Sequence, residues 1–432
     1  MTEVIVHHDC SKLPLASDST IPVHIYGLGH HGRTDISIIG HPAIEKIKRL
    51  GVKISSQSID FLTIALSVTA ADTFVSRKLA ADGWAREISL KIPLVDPSIW
   101  CQVKEQLEST LHFLSGDIWT LDFTGGGFCS PEPYRGARYN LLNLRRLDCV
   151  ALFSGGLDSC IGAIDLMEGG SKPLLVSHSY KGDKVKQDVI AEELQGKYSR
   201  FYVNADPHSH LGFTDITMRT RSINFFAFAV VASDALESIN QLEKVDLFVP
   251  ENGFISLNAP LTPRRIGSLS TRTTHPHYIS GLQGIFDSVG INVQMKNPYQ
   301  FKTKGEMVSE CSNFDLLKKV VDNTVSCSHW KRSNQQCGGC VPCLIRRASL
   351  KKGGIAEIGD YKHNNLQALL KAGDTKDDLL AVLQAVTQIK NRSVGGWVLD
   401  SGPISSDDLE DYKSIFVRGL SEVADFLAAE GI

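Results

Sequence analysis

The sequence predicts an α/β protein whose main part is a parallel sheet with helices on both faces, preceded by an α+β segment and followed by a helical tail. Three observations carry this. Between Cys149 and Pro250 the short apolar runs CVALF, PLLVSHS, RFYVN and VDLFVP are separated by helical stretches. Strands that are apolar throughout belong to sheets covered on both sides. Before Cys149, by contrast, Ile88, Leu90 and Ile92 alternate with Ser89 and Lys91, the period of a half-buried strand. Beyond Gly354, leucines recur at helical spacing: Leu366, Leu369 and Leu370, then Leu379, Leu380 and Leu383. The chain accordingly divides into 1–147, 148–353 and 354–432.

In the first segment, Pro97 and Ser98 open a helix expected to run to about Leu114. Trp119, Leu121 and Phe123 form a second alternating strand that stops at Gly125-Gly126-Gly127, and Ser130-Pro131-Glu132-Pro133 reads as a linker. Nothing in this segment carries recognisable chemistry. In the tail, Gly395-Gly396 is expected to interrupt the helical pattern.

Composition is that of an ordinary globular protein, and the formal net charge of -3 gives no general attraction to nucleic acid. The pairs Arg145-Arg146, Arg264-Arg265 and Arg346-Arg347 read as solvated faces. The opening MTEVIVHHDC lacks the charged-then-apolar plan of a secretory signal, and no apolar run reaches about 18 residues. A cytoplasmic location without membrane contact is therefore expected. In that compartment, ten cysteines with four clustered point to a metal site rather than to disulfides.

The stretch VALFSGGLDSCIGAI reads as a buried strand, a Ser-Gly-Gly turn and a helix starting near Leu157 or Asp158. Two glycines let the backbone turn tightly, and the exposed amides at the helix start then face a phosphate. Ser154 and Ser159 add hydroxyl donors, and Asp158 makes sense if it holds magnesium or orients the loop. This is not the Walker loop, since its lysine and four-residue spacer are absent. Cys160 follows the loop and reads as a small core residue.

Cys327, Cys337, Cys340 and Cys343 lie in CSHWKRSNQQCGGCVPC, with nine, two and two residues between them. Two overlapping CxxC steps allow four thiolates to surround one metal, and four sulfurs fill a tetrahedral zinc shell. His329 could replace one cysteine, and an iron–sulfur cluster is the competing reading.

The loop resembles the SGGxDS loop of the PP-loop ATP pyrophosphatases, whose sheet is of the HUP type. Together with the later cysteine cluster followed by Arg346 and Arg347, it resembles the 7-cyano-7-deazaguanine synthase family, QueC, over about residues 149–353. The resemblance implies that Ser154, Gly155, Gly156, Leu157, Asp158 and Ser159 bind ATP, with Mg2+, and that the four cysteines hold Zn2+. It also implies adenylation of the carboxylate of 7-carboxy-7-deazaguanine. The segment FKTKGEMV is similar to a family stretch that places Lys304 and Glu306 near the site, Lys304 neutralising phosphate charge, so that Asp158 and Lys304 are the catalytic candidates.

Two departures matter. The chain is about twice the usual family length, and where that family has Tyr-Pro-Asp-Cys-Arg it carries ENGFISLNAPLTPRRIGSLSTRTTHP. That run holds Glu251, Asn252, Arg264, Arg265, Ser268, Ser270, Thr271, Arg272, Thr273 and His275, a dense set of anion-binding side chains. The longer form resembles the QatC type of QueC-like protein from bacterial antiviral gene clusters, which implies amide formation on the N-terminal amine of a partner protein. The alternatives are a queuosine-pathway nitrile synthase using ammonia, a tRNA-modifying PP-loop enzyme, and a non-catalytic nucleotide sensor. Arg219 and Arg221, before an apolar helix, are further candidates for phosphate or carboxylate contact, Arg221 first.

Overall fold

The computed structural model describes residues 2–27, 32–178, 181–194, 199–212, 214–215, 219–261, 272–330, 334–356, 361–371 and 377–432. Two five-stranded parallel sheets stand face to face with helices between them. The first contains β1 (Thr2–His7), β2 (Thr20–Ile25), β3 (Ser37–Ile39), β4 (Glu87–Pro93) and β5 (Ile118–Thr124), in the order β3-β2-β1-β4-β5. Helices α1 (Ser56–Phe74) and α2 (Lys104–Ser115) cover one face of it.

The α+β arrangement expected of this segment is thus corrected: all its strand pairs are parallel. The alternating pattern was misleading for a physical reason. On β4 and β5, Ile88, Leu90, Ile92, Trp119, Leu121 and Phe123 are buried, while Glu87, Ile118, Thr120 and Asp122 face water. A parallel sheet with one wet face carries the pattern that usually marks antiparallel strands. The helix expected from Pro97 to Leu114 is two helices, because Val103 leaves the helical region at φ -109°, ψ 11°.

The second sheet contains β6 (Cys149–Leu152), β7 (Pro173–His178), β8 (Ser199–Val203), β9 (Val245–Phe248) and β10 (Val293–Lys296), ordered β10-β9-β6-β7-β8. Four of the five strands are the apolar runs read from the sequence; β10 is not. Its intervening helices include α3 (Leu157–Glu168), α4 (Lys181–Glu193), α5 (Arg221–Asn240), α6 (Gly253–Leu257) and α7 (Pro276–Val289). Burial explains the unbroken apolar runs. On β6, Val150 and Leu152 join the core between the sheets, whereas Ala151 and, just past the strand, Phe153 join a second core under α3.

The core between the sheets is continuous: α1 from the first layer packs along α5 from the second. Helix α5 is also long and apolar enough to cross a membrane by length and composition, with 67% of that window buried in the protein. The sheets are tied at one edge as well, where Ile38 exchanges backbone hydrogen bonds with His208, each 2.8 Å, in an antiparallel bridge.

After β10 come α8 (Lys304–Ser309), α9 (Val341–Lys352), α10 (Asp377–Gln388) and α11 (Leu409–Ala429). The tail is bound tightly to the sheet domain, α11 packing on α9, α6 and α8 around a third core that includes Trp397, Tyr412 and Phe416. Gly395 and Gly396 lie inside a short helix, Val394–Leu399, whose Ser393 cap accepts from the Gly396 amide.

Candidate functional site

Both sheets share one doubly wound order, and in such sheets ligands bind outside the carboxyl ends of the strands where the order reverses. In the first sheet that point lies between β1 and β4, and the chain itself fills it. Gly127 donates to Leu94 O at 3.0 Å, and a Cβ there would lie 2.2 Å from the Leu94 carbonyl carbon. Phe128 packs against His8 and Tyr26 beside it. In the second sheet the reversal lies between β6 and β9. There the chain places the loop Ser154–Ser159 after β6 and the pair Glu251-Asn252 after β9.

The loop is built by its glycines. Gly155 has φ +82°, in the left-handed region, and a Cβ on it would come 2.9 Å from Gln187 Cγ. Gly156 caps α3 without a side chain of its own. Ser154 Oγ accepts from the Gly156 amide at 3.2 Å and lies 3.1 Å from Ser159 Oγ, which donates to Gly156 O at 3.1 Å. The two hydroxyls therefore brace the turn. The side chain of Leu157 is fully buried in the core under the sheet, so only its backbone faces the turn. Cys160 is buried in the same core, and that burial raises its thiol above the ordinary cysteine range.

Asp158 and Lys304 come together. Each is 4% exposed, and Lys304 Nζ lies 2.8 Å from Asp158 Oδ1. Asp158 Oδ2 accepts from Asn252 Nδ2 at 2.7 Å, and the same amide donates to Glu251 Oε1 at 3.1 Å. Burial alone would raise the Asp158 carboxyl, but the Lys304 charge and the surrounding hydrogen bonds bring it down to about 2. Glu251 moves the opposite way: burial and then the Asp158 charge raise it well above the carboxylate range, so it keeps its proton after Asp158 has ionised. Asn252 also caps α6, accepting from the Ile255 amide at 3.0 Å. One asparagine thus links the strand end, the next helix and the loop.

The other sequence candidates separate. Asn240 at the end of α5 accepts from the Arg146 amide, just before β6, so α5 runs against β6 and carries half-buried Arg221 to the strands' carboxyl side. Arg219 instead belongs to the interior of the first layer: it stacks on Trp84 at 3.9 Å and donates to Ser115 O at 2.7 Å. Beside it Asp72 and Asp117 bind Arg77 and Arg86 in a buried ionic network, and Asp72 also accepts from Thr220. Arg272 stacks on Phe113 at 4.5 Å, and buried His275 caps α7 and contacts Ser401 of the tail at 3.0 Å. Arg264, Arg265, Ser268, Ser270 and Thr271 lie outside the described residues. Glu306 is not at the loop; it closes a capping box with Thr303 and pairs with Arg418 at 2.9 Å.

The four cysteines converge. The sulfurs of Cys327, Cys337, Cys340 and Cys343 all lie within 4.8 Å of one another, and two of the pairs are 3.9 Å apart. A tetrahedron of Zn–S bonds of ~2.3 Å has sulfur–sulfur edges of ~3.8 Å, so the group fits a four-coordinate metal such as zinc. Amides of His329, Cys337 and Cys340 donate to the sulfurs at 3.3 Å, as thiolates require. His329 is not among the converging groups.

Sequence reasoning missed three residues that hold this region. Gln187 Nε2 donates to Ser154 O at 3.0 Å, and the Val325 amide donates to Gly155 O at 3.0 Å. Arg346, read as part of a solvated pair, is completely buried. None has a local signature, because each acts on a segment far along the chain. A separate polar cleft lined by Ser55, Asp234, Glu237 and Asn292 lies at the amino end of β10, away from the loop. No protein-family model and no curated protein matches the chain.

Proposed function

We propose that this chain is an ATP-dependent, AMP-forming ligase of the 7-cyano-7-deazaguanine synthase type. It adenylates the carboxylate of 7-carboxy-7-deazaguanine or a similar base and forms an amide, the acceptor being the N-terminal amine of a partner protein in antiviral defence. The observation that supports this best is the uncapped start of α3 behind Ser154-Gly155-Gly156, at the reversal point of a doubly wound sheet. Backbone amides there suit a polyphosphate.

In the proposed reaction a carboxylate oxygen of the base attacks the α-phosphorus of ATP, and the bond from that phosphorus to pyrophosphate breaks. The amine nitrogen then attacks the acyl carbon and loses a proton as AMP leaves. Asp158, held by Lys304 and Asn252, orients the first turn of α3; Mg2+ would arrive with the nucleotide phosphates. The four cysteines would hold zinc with a full sulfur shell, a structural cross-link. A tRNA-thiolating enzyme would call for a catalytic cysteine pair and a basic face; Cys160, the cysteine beside the loop, is buried in the core.

The test is product analysis with magnesium-ATP and 7-carboxy-7-deazaguanine, with and without ammonium. Base-dependent AMP with a stalled adenylate or amide supports the ligase, and nitrile with ammonium supports the synthase. A second reading, a nucleotide sensor without turnover, draws on the closed Asp158–Lys304 pair, and binding of ATP without AMP formation would favour it.

A further inference from the structure

The cysteine cluster and the loop Ser154–Ser159 are joined by a short strap, residues 321–327, whose last member is itself one of the four cysteines. The strap begins in a single 3-10 turn, Val321–Asn323, and ends at Cys327. In its middle the Val325 amide donates to Gly155 O at 3.0 Å. The Val325 carbonyl lies so close that a Cβ on Gly156 would meet it at 3.4 Å.

Groups neighbouring the other cysteines hold the strap from both sides. Arg346, on α9 three residues after Cys343, donates to Thr324 Oγ1 at 2.5 Å and to Val321 O at 2.8 Å. Positions three apart on a helix share a face, so one face of α9 serves both the cluster and the strap. Gln336, next to Cys337, accepts from the Ser326 amide at 3.2 Å. Helix α4 repeats the connection: Gln187 holds Ser154 O, and its neighbour Lys186 donates to Asn323 Oδ1 at 3.1 Å. Thr324 and Arg346 are buried, so the contacts exclude water.

We propose that the metal bound by Cys327, Cys337, Cys340 and Cys343 positions the loop: it fixes the strap, and the strap's Val325 fixes Gly155, with Arg346 as the positioning residue between them. The loop reading is taken from the proposed function, but the coupling is a property of the fold and can be read without a nucleotide. With the cysteines unligated, Cys327 loses its anchor and the Gly155 carbonyl loses its donor. The glycine turn then samples conformations in which its amides no longer converge.

The experiment compares zinc-loaded and chelated protein, wild type and Val325→Pro. Proline removes the donating amide, and Thr324 at φ -77°, ψ 143° already has the conformation that a following proline requires. Two readouts are taken: hydrogen exchange at the amides of 155–159, and affinity for an ATP analogue with a methylene bridge between the α- and β-phosphates. Zinc removal from wild type is expected to speed exchange at 155–159 while β7 stays protected, and to weaken the analogue about tenfold, the scale of one hydrogen bond. Val325→Pro, still carrying its zinc, is expected to show the same weakening and little further response to chelation. Loop protection that ignores zinc overturns the proposal, as does a Val325→Pro protein that responds to chelation as wild type does. If the analogue binds neither form while loop protection still follows zinc, the coupling stands and the nucleotide reading falls.

Discussion

The Lys304 ammonium lies 2.8 Å from Asp158 Oδ1, and the two side chains, 146 positions apart in sequence (304 − 158), are both buried. A buried pair is costly to break from one side, because the survivor keeps its charge without compensation. Lys304→Met should therefore destabilise the protein by about 3–5 kcal/mol. The double variant Asp158→Asn, Lys304→Met should recover much of that loss. Urea unfolding of wild type and both variants checks this, and a Lys304→Met midpoint equal to that of wild type would show that the pair carries little of the stability.

Glu251 supplies a pH dependence of defined sign. Its folded-state carboxyl is raised by burial and by the Asp158 charge, so the folded protein holds a proton that the unfolded chain gives up at the ordinary carboxylate value. Stability should fall as pH rises from that value toward the raised one. Asp158, depressed to about 2, contributes in the opposite sense: its stabilisation is complete above the usual carboxylate value and is lost as pH falls toward 2. Glu251→Gln should abolish the decline on the alkaline side and leave the acid limb in place. Thermal melts from about pH 2 to about pH 8 read both limbs; an unchanged alkaline slope would rule Glu251 out as its source.

Gly155→Ala should cost about 1–2 kcal/mol from the left-handed backbone alone, with a further penalty where the new methyl meets Gln187 Cγ at 2.9 Å. Gln187→Ala removes the second cost but not the first, and on its own it also deletes the hydrogen bond to Ser154 O. Pairing the two substitutions and measuring chemical unfolding separates strain from crowding, and nucleotide affinity should drop in both proteins that carry the alanine.

Cys340→Ala should lower metal content and stability together, since metal binding and folding of a four-sulfur site are coupled. Metal analysis beside a thermal melt checks it. A variant that keeps its melting temperature yet loses turnover would point to a chemical role for the cluster.

Much of the site was legible locally. The apolar run CVALF followed by Ser-Gly-Gly requires a buried strand and a tight turn, and the structure has both, with Gly155 left-handed as a side-chain-free residue permits. The cysteine spacing announced a cluster because two overlapping CxxC steps leave few other arrangements. Lys304 was singled out through a resemblance, and the structure sets it against Asp158. Glu306, drawn from the same stretch, caps its helix instead.

The sequence by itself determined four of the five strands of the second sheet, the glycine turn and the four-sulfur group, because each follows from periodicity or spacing within a few residues. Only the tertiary structure decided that the first sheet is parallel, since one wet face imposes the same alternation on parallel and antiparallel strands. It alone decided, too, that Arg346 is buried, that Asn252 joins Asp158 to Glu251, and that Val325 ties the cysteines to the loop. Those contacts span distant segments, and a hydrogen bond between two such segments leaves no periodic trace in either.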